Sequence, residues 1–211
     1  MYLTRMKLDP TKRKTAIALV SPNLFHGAIE MSFEERTRKL WRIDNLNGNL
    51  YLLLLSRDKP DLTSAADQFG TDEGWRTLSY DKFLSEIKEG ERRRFRLCAN
   101  PVISSKKATA KGERGTVLAH VTTHWQKQWL IDRAEKNGFA LLADDFTVVE
   151  SKWISFRKKT NGGRPVTIHS VTFEGILTVT DKEKFCSALK DGIGRAKAYG
   201  MGLMTVMRKE A

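Results

Sequence analysis

Only two cysteines, Cys98 and Cys186, occur in 211 residues, and they lie far apart in apolar-patterned segments. That excludes a disulfide-stapled scaffold and reads as buried thiols in a reducing compartment, so a cytoplasmic location is expected. With four scattered histidines the two thiols make no zinc spacing. His120 and His124 are four apart, but no HExxH surrounds them. No Walker lysine and no serine nucleophile elbow is present. No metal and no cofactor is expected. No apolar run approaches the ~20 residues that cross a bilayer. The basic start, Met1 to Lys14, lacks the apolar stretch of a secretory signal.

Positive charge, by contrast, is abundant. The chain has 37 Lys+Arg against 25 Asp+Glu, a net charge of +12, and a pI near 9.8. Such a balance favours a polyanionic partner, nucleic acid before an acidic membrane. The second half carries most of the surplus. Two acid-poor runs stand out there: Lys106, Lys107, Lys111 and Arg114, then Lys152, Arg157, Lys158, Lys159 and Arg164. A charge run is more often a solvated face than a binding site. Placed in loops or a hairpin, however, such runs can follow a phosphate backbone and reach a groove.

The hydrophobic pattern predicts an α+β fold. Tyr2 to Leu8 alternates as a strand, and the basic segment up to Lys14 reads as a loop. Ser21-Pro22 opens a helix that places Phe25, Ala28, Ile29 and Phe33 on one face. Leu40 to Ile43 and Leu50 to Ser56 are strands around an Asn47-Gly48 turn. Leu62 to Phe69 is a short helix, Gly70 to Gly74 breaks the pattern, and Arg92 to Ala99 is a half-buried strand. The order β-α-β-β-α-β over residues 1–99 is ferredoxin-like.

Asn100-Pro101 then opens a second unit, residues 100–211, of the same mixed kind. Thr123 and Gln126 fit a capping box for a helix that stops at Gly138. Phe139 to Phe156 reads as strands around Asp144-Asp145. Asn161-Gly162-Gly163 is a hairpin tip, and Pro165 to Val179 is a long strand broken at Gly175. Thr180 and Glu183 cap a last helix that ends at Gly192.

Gly192, Gly194, Gly200 and Gly202, with Arg195 and Lys197 among them, form the densest motif. Glycine admits positive φ and close approach to a ligand, and the two cations suit phosphates. The bland reading is two turns before a final strand, Leu203 to Met207. The motif follows a helix, not a strand, so it is not a dinucleotide loop. Among acid–base candidates His26 is placed best, near a helix start with Glu30 one turn on. His169 lies mid-strand, and His120 and His124 lie beside a basic loop.

Five stretches together resemble a known family. MYLTRMKL at the start, Ser21-Pro22 with His26, FRLCANP (95–101), VTFEGILTV (171–179) and GIGRAKAYGMGL (192–203) are similar to the CasE-type CRISPR-associated endoribonuclease. The resemblance covers the whole chain in order. It implies two tandem ferredoxin-like (βαββαβ, RAMP-type) domains. It implies metal-independent cleavage of the CRISPR repeat hairpin in precursor RNA, on the 3′ side of the stem base. The 2′-hydroxyl attacks and leaves a 2′,3′-cyclic phosphate. The mature guide RNA stays bound, and the protein joins the other Cascade subunits. His26 matches the family's catalytic histidine, and the two basic runs match its stem-holding loops. One departure is Asn23, where some relatives carry a tyrosine. Two other readings stay open: a non-catalytic subunit that binds an RNA hairpin, and a basic ribosome-like or DNA-binding protein.

Overall fold

The computed structural model describes residues 1–104, 116–157, 163 and 165–208. Its first antiparallel sheet holds β1 (Tyr2–Leu8), β2 (Lys39–Leu46), β3 (Asn49–Ser56) and β4 (Gly70–Ser79) in the order β2-β3-β1-β4. Two helices, α1 (Arg13–Val20) and α2 (Asn23–Met31), follow β1, and α3 (Thr63–Phe69) follows β3. This is the ferredoxin-like order, with the first and third strands in the middle. Alternation decides the faces. Thr4, Met6, Leu52 and Leu54 point to the helices, where Phe25, Ile29 and Phe69 complete a buried cluster. Leu3, Leu53 and Leu55 point the other way and pack onto the second unit.

The second sheet repeats the plan. After α4 (Asp81–Ser85) come β5 (Arg92–Ala99), the small ribbon β6 (Val102–Ser104) with β7 (Val117–Ala119), and α5 (Thr123–Ala134). β8 (Phe139–Ala140), β9 (Phe146–Arg157), β10 (Pro165–Val179), α6 (Lys182–Asp191) and β11 (Met204–Arg208) complete it. The order is β11-β5-β10-β8, with β9 also on β10. One face of this sheet, with Leu97, Val171, Phe173 and Leu177, is buried under α5 and α6. The other face carries Arg96, Cys98, Thr172 and Glu174. Toward Pro165, beyond Val171, β10 has no strand beside it but β9 among the described residues.

Several sequence expectations are corrected. Arg92–Ala99 pairs with β10 and β11, not with the first sheet, so the seam precedes it. The first unit closes instead with β4, where Gly70 to Gly74 was read as a break. Gly70 leaves α3 in extended backbone, φ −87° and ψ 168°, so the glycine starts the strand. The basic segment after Pro10 enters α1 at Arg13 and is not a loop. Gly175 does not interrupt β10. A Cβ there would lie 2.3 Å from the Asp145 carbonyl, so the glycine serves a close strand crossing. Ser21 is no cap: its N–H closes α1 on Ile17, and α2 starts from Pro22 without a side-chain cap. Thr122, not Thr123, precedes α5, and Gln126 bonds instead to the His120 and Val121 carbonyls. Asp181, not Thr180, caps α6 by accepting from the Lys184 N–H at 2.9 Å.

One cluster joins the two sheets. Arg42 on β2 is held by Asp44 through two bonds of 2.7 Å. Its remaining donors reach the Arg96 carbonyl at 3.0 Å, the Leu203 carbonyl at 2.8 Å and Thr205 Oγ1 at 2.8 Å. Arg96 bonds both Asp44 and Glu174. Arg42 and Asp44 side chains are each 3% exposed. Among the described residues no helix is long and apolar enough to cross a membrane.

Candidate nucleic-acid interface

A cleft of about 860 Å³ opens where β2 and α2 face the polar side of the second sheet. Its charges are balanced. Arg42, Arg96 and Lys152 face Asp44, Glu150 and Glu174, and each is paired; Lys152 meets Glu150 at 2.8 Å. The buried Arg42 guanidinium is closed to a polyanion, because Asp44 neutralises it and its other donors are bonded. Lys152, a predicted RNA contact, lies in the same cleft, where its exposed pair with Glu150 is worth little and leaves the ammonium open to a phosphate.

His26 stands on α2, and its side chain is 35% exposed. Phe25, Ala28 and Ile29 bury the opposite face of that helix, so packing fixes the ring at the surface. Nδ1 lies 3.9 Å from Glu30 Oε1, the i,i+4 neighbour. The other Glu30 oxygen accepts from Lys39 Nζ at 3.1 Å. Lys39 is almost fully buried, also bonds the Glu35 carbonyl at 3.2 Å, and sits 4.6 Å above the Phe33 ring. Glu30 is thus anchored by a buried cation and presents its free oxygen to the imidazole. At 3.9 Å this is an ion-pair distance and not a hydrogen bond, so the carboxylate stands beside the ring as a charge. Asn23, one turn earlier, has its Oδ1 buried without a hydrogen-bond partner.

The glycine-rich segment reaches the same place from the other unit. Its turn Lys197–Tyr199 packs on α2 and β2. Gly192, Gly194, Gly200 and Gly202 all have positive φ, from 75° to 88°. A Cβ on Gly200 would lie 3.0 Å from the Trp41 ring, so only glycine lets the loop pass this close to the first sheet. Ala196 also adopts a left-handed φ of 62°, an unusual conformation for a residue with a Cβ. Burial, and then the charge of nearby Arg38, push the Lys197 ammonium below the usual lysine range, while Asp191 opposes the shift. Arg195 points away from α2 and approaches Ser104 Oγ at 3.5 Å. Arg157 ends β9, exposed and without a carboxylate partner among the described residues. Lys106, Lys107, Lys111, Arg114, Lys158, Lys159 and Arg164 lie outside the described residues.

The sequence kept His26 and the glycine motif in separate halves, and the structure brings His26's helix against the loop. Sequence reasoning missed Lys39 as the anchor of Glu30 and the Arg42–Asp44 pair. The only available signal was the alternation of β2, LWRIDNL, which puts Arg42 and Asp44 on one face.

Comparison with known proteins places the arrangement. A family described as "CRISPR associated protein" matches residues 1–208. The chain is 32% identical to the CRISPR-associated endoribonuclease Cse3 of Thermus thermophilus, over 98% of this chain and 99% of that one. A structure of the endoribonuclease Cse3 bound to a 19-nucleotide RNA superposes with a TM-score of 0.81 at 27% identity, covering 98% of this chain and 100% of that one. Cas6e from Escherichia coli K-12 shares the fold, with a TM-score of 0.67 at 22% identity over 99% of this chain and 100% of that one.

Proposed function

Because the chain belongs to the CRISPR-associated protein family, of the Cse3 endoribonuclease type, we propose that it cuts the repeat hairpin of precursor CRISPR RNA through acid–base catalysis at His26. It is an endoribonuclease of the Cse3 type, and on this reading it acts on CRISPR RNA and serves as a subunit of a Cascade assembly. The observation that carries the role of His26 is its surface position, braced by Glu30 and lying beside the glycine-rich loop.

RNA brings its own nucleophile. As the 2′-oxygen forms its bond to phosphorus, the bond from phosphorus to the 5′-oxygen breaks. One proton leaves the 2′-hydroxyl, and one must arrive on the departing 5′-oxygen. A single well-placed imidazole can move either proton, and no redox step is involved. With the Glu30 carboxylate 3.9 Å away, the ring is placed to carry the proton that goes to the 5′-oxygen. Lys197 and Arg195 offer charge to phosphates along the loop. The two thiols, buried Cys98 and half-buried Cys186, are unpaired, which fits a reducing cytoplasm.

Incubation of the protein with an end-labelled repeat hairpin in EDTA tests this reading. A cut at the 3′ side of the stem base, with a 2′,3′-cyclic phosphate and a 5′-hydroxyl, is the expected result. Intact RNA held tightly would make the chain a binding module instead. The basic runs are tested by salt. Replacing Arg157, Lys158 and Lys159 together by Ala should weaken hairpin binding and flatten the log–log salt slope by about 0.7–0.9 per lost phosphate contact. An unaltered slope would return the run to a plain solvated face.

A further inference from the structure

A second groove, of about 360 Å³, lies on the far side of the glycine-rich loop from His26. Asn100, Ser104, His120, Trp125, Trp129 and Arg195 line it. Its floor holds two unanswered polar atoms. Trp129 is 2% exposed, and its indole N–H has no acceptor. The Asn100 amide oxygen is buried without a donor. Both atoms belong to side chains that line the groove, and buried polar atoms are seldom left unpartnered, so a donor and an acceptor beside one groove point to a ligand that carries both.

The rim suits a flat ligand. Trp125 is 54% exposed although it sits on a helix that buries its other aromatic, Trp129. The His120 ring lies near-parallel to Trp125 at 6.3 Å, and His124 meets it edge-on at 5.0 Å. Burial and the nearby Arg133 cation hold His120 below its ordinary range, so the ring is mostly neutral at pH 7. Arg133 lies over the Trp129 ring at 4.3 Å. Arg195 stands exposed at the mouth. A Cβ on Gly194 would lie 3.0 Å from the Trp129 ring, so the loop backbone passes directly over the indole. Asp132, held by Gln128 at 2.7 Å, adds a carboxylate that makes the floor a poor phosphate site and a good acceptor for an amino group. The same loop therefore touches α2 at Lys197–Tyr199 and lines this groove at Gly194 and Arg195.

We propose that the groove takes one unpaired nucleobase from the RNA strand flanking the hairpin. The base stacks on Trp125, its edge meets the Trp129 N–H and the Asn100 oxygen, and Arg195 faces the adjoining phosphate. A nucleobase edge offers donor and acceptor side by side, which a phosphate or an apolar side chain does not. The site rests on the RNA-processing reading, and its test separates the two.

Affinity is measured for a repeat hairpin alone and for the same hairpin with eight unpaired flanking nucleotides on either side. The flank on one side should tighten binding by about 5- to 150-fold, the worth of one stacked base. Trp125→Ala should remove that gain and leave the bare hairpin's affinity unchanged, whereas Trp125→Phe should keep part of it. Equal binding of flanked and bare hairpins by the wild-type chain overturns the proposal. So does a Trp125→Ala variant that weakens both alike. A variant that binds both RNAs normally but no longer co-purifies with its partner subunits makes the groove a protein contact, and the proposal falls. If the hairpin does not bind at all, the RNA-processing reading fails on its own. The groove is then judged by a uridine octamer: quenched tryptophan emission that is lost in Trp125→Ala supports it, and no quenching overturns it.

Discussion

His26→Ala lowers the rate of hairpin cleavage by roughly 10²–10⁴-fold, the usual worth of one positioned acid–base group, while hairpin affinity stays within about twofold of the wild-type chain. The separation follows from where the residue sits. The ring is on the outer face of α2, and the helix is held by Phe25, Ala28 and Ile29 on the other side. Removing the imidazole therefore leaves the fold and the basic surface untouched. Single-turnover cleavage beside a filter-binding titration reads both quantities. Unchanged cutting would sink the assignment, and joint loss of cutting and binding would make His26 a contact and not a proton carrier. Glu30→Gln should act through His26. It keeps the size of the side chain, removes the carboxylate charge 3.9 Å from the ring, and should draw the alkaline limb of the pH–rate profile, where a donor His26 loses its proton, to lower pH. A purely structural Glu30 would leave that profile in place.

The second large effect concerns stability. Asp44→Ala should cost about 3–5 kcal/mol, because it strands a buried guanidinium. Arg42 would keep its two carbonyl bonds and its Thr205 contact but lose the carboxylate that neutralises it, and Arg96 would lose one of its two acidic partners. For a chain of this size the melting temperature should fall by roughly 6–20 °C. Thermal unfolding followed by circular dichroism checks it. A drop of less than about 1 kcal/mol would show that water reaches the cluster and screens it, as at an exposed pair. The pair Arg42→Met with Asp44→Leu tests the interpretation, since removing both charges should recover much of the loss.

Particular elements show what the sequence could and could not reveal. β1, β3 and β10 are dense, alternating or long, and their ends come within a residue or so of the pattern. α2 and α6 announce themselves by faces of Phe, Ala, Ile and Leu at helical spacing. β4 failed for a physical reason. It is an edge strand, largely solvated, with glycines at both ends of its first half, so the hydrophobic signal is thin. Missing it pulled Arg92–Ala99 into the wrong sheet, because the β-α-β-β-α-β count needed one more strand. The fault was local, and the two-unit plan survived it. The site divides in the same way. His26 and the glycine motif were legible as residues. Their approach across the seam was not, because it depends on Gly200 passing the Trp41 ring, a tertiary fact no spacing carries. Lys39 as the anchor of Glu30 is likewise a product of folding, nine positions on and across a change from helix to strand.

From Pro165 to Ser170, among the described residues, β10 is bound to β9 alone, a two-stranded ribbon that runs on past the sheet for about 20 Å at the usual rise per residue. It ends at the segment that carries Lys158, Lys159 and Arg164. Such a ribbon is a measuring rod: its length sets how far its outer end, with the exposed Arg157, stands from the rest of the sheet. Its pleat is also a clock with two positions. Lengthening both strands by two residues would extend the ribbon by nearly 7 Å with Arg157 on the same face, whereas a single added residue would turn it to the opposite face. The reach of this end is thus tuned in steps of two residues, without any change at α2.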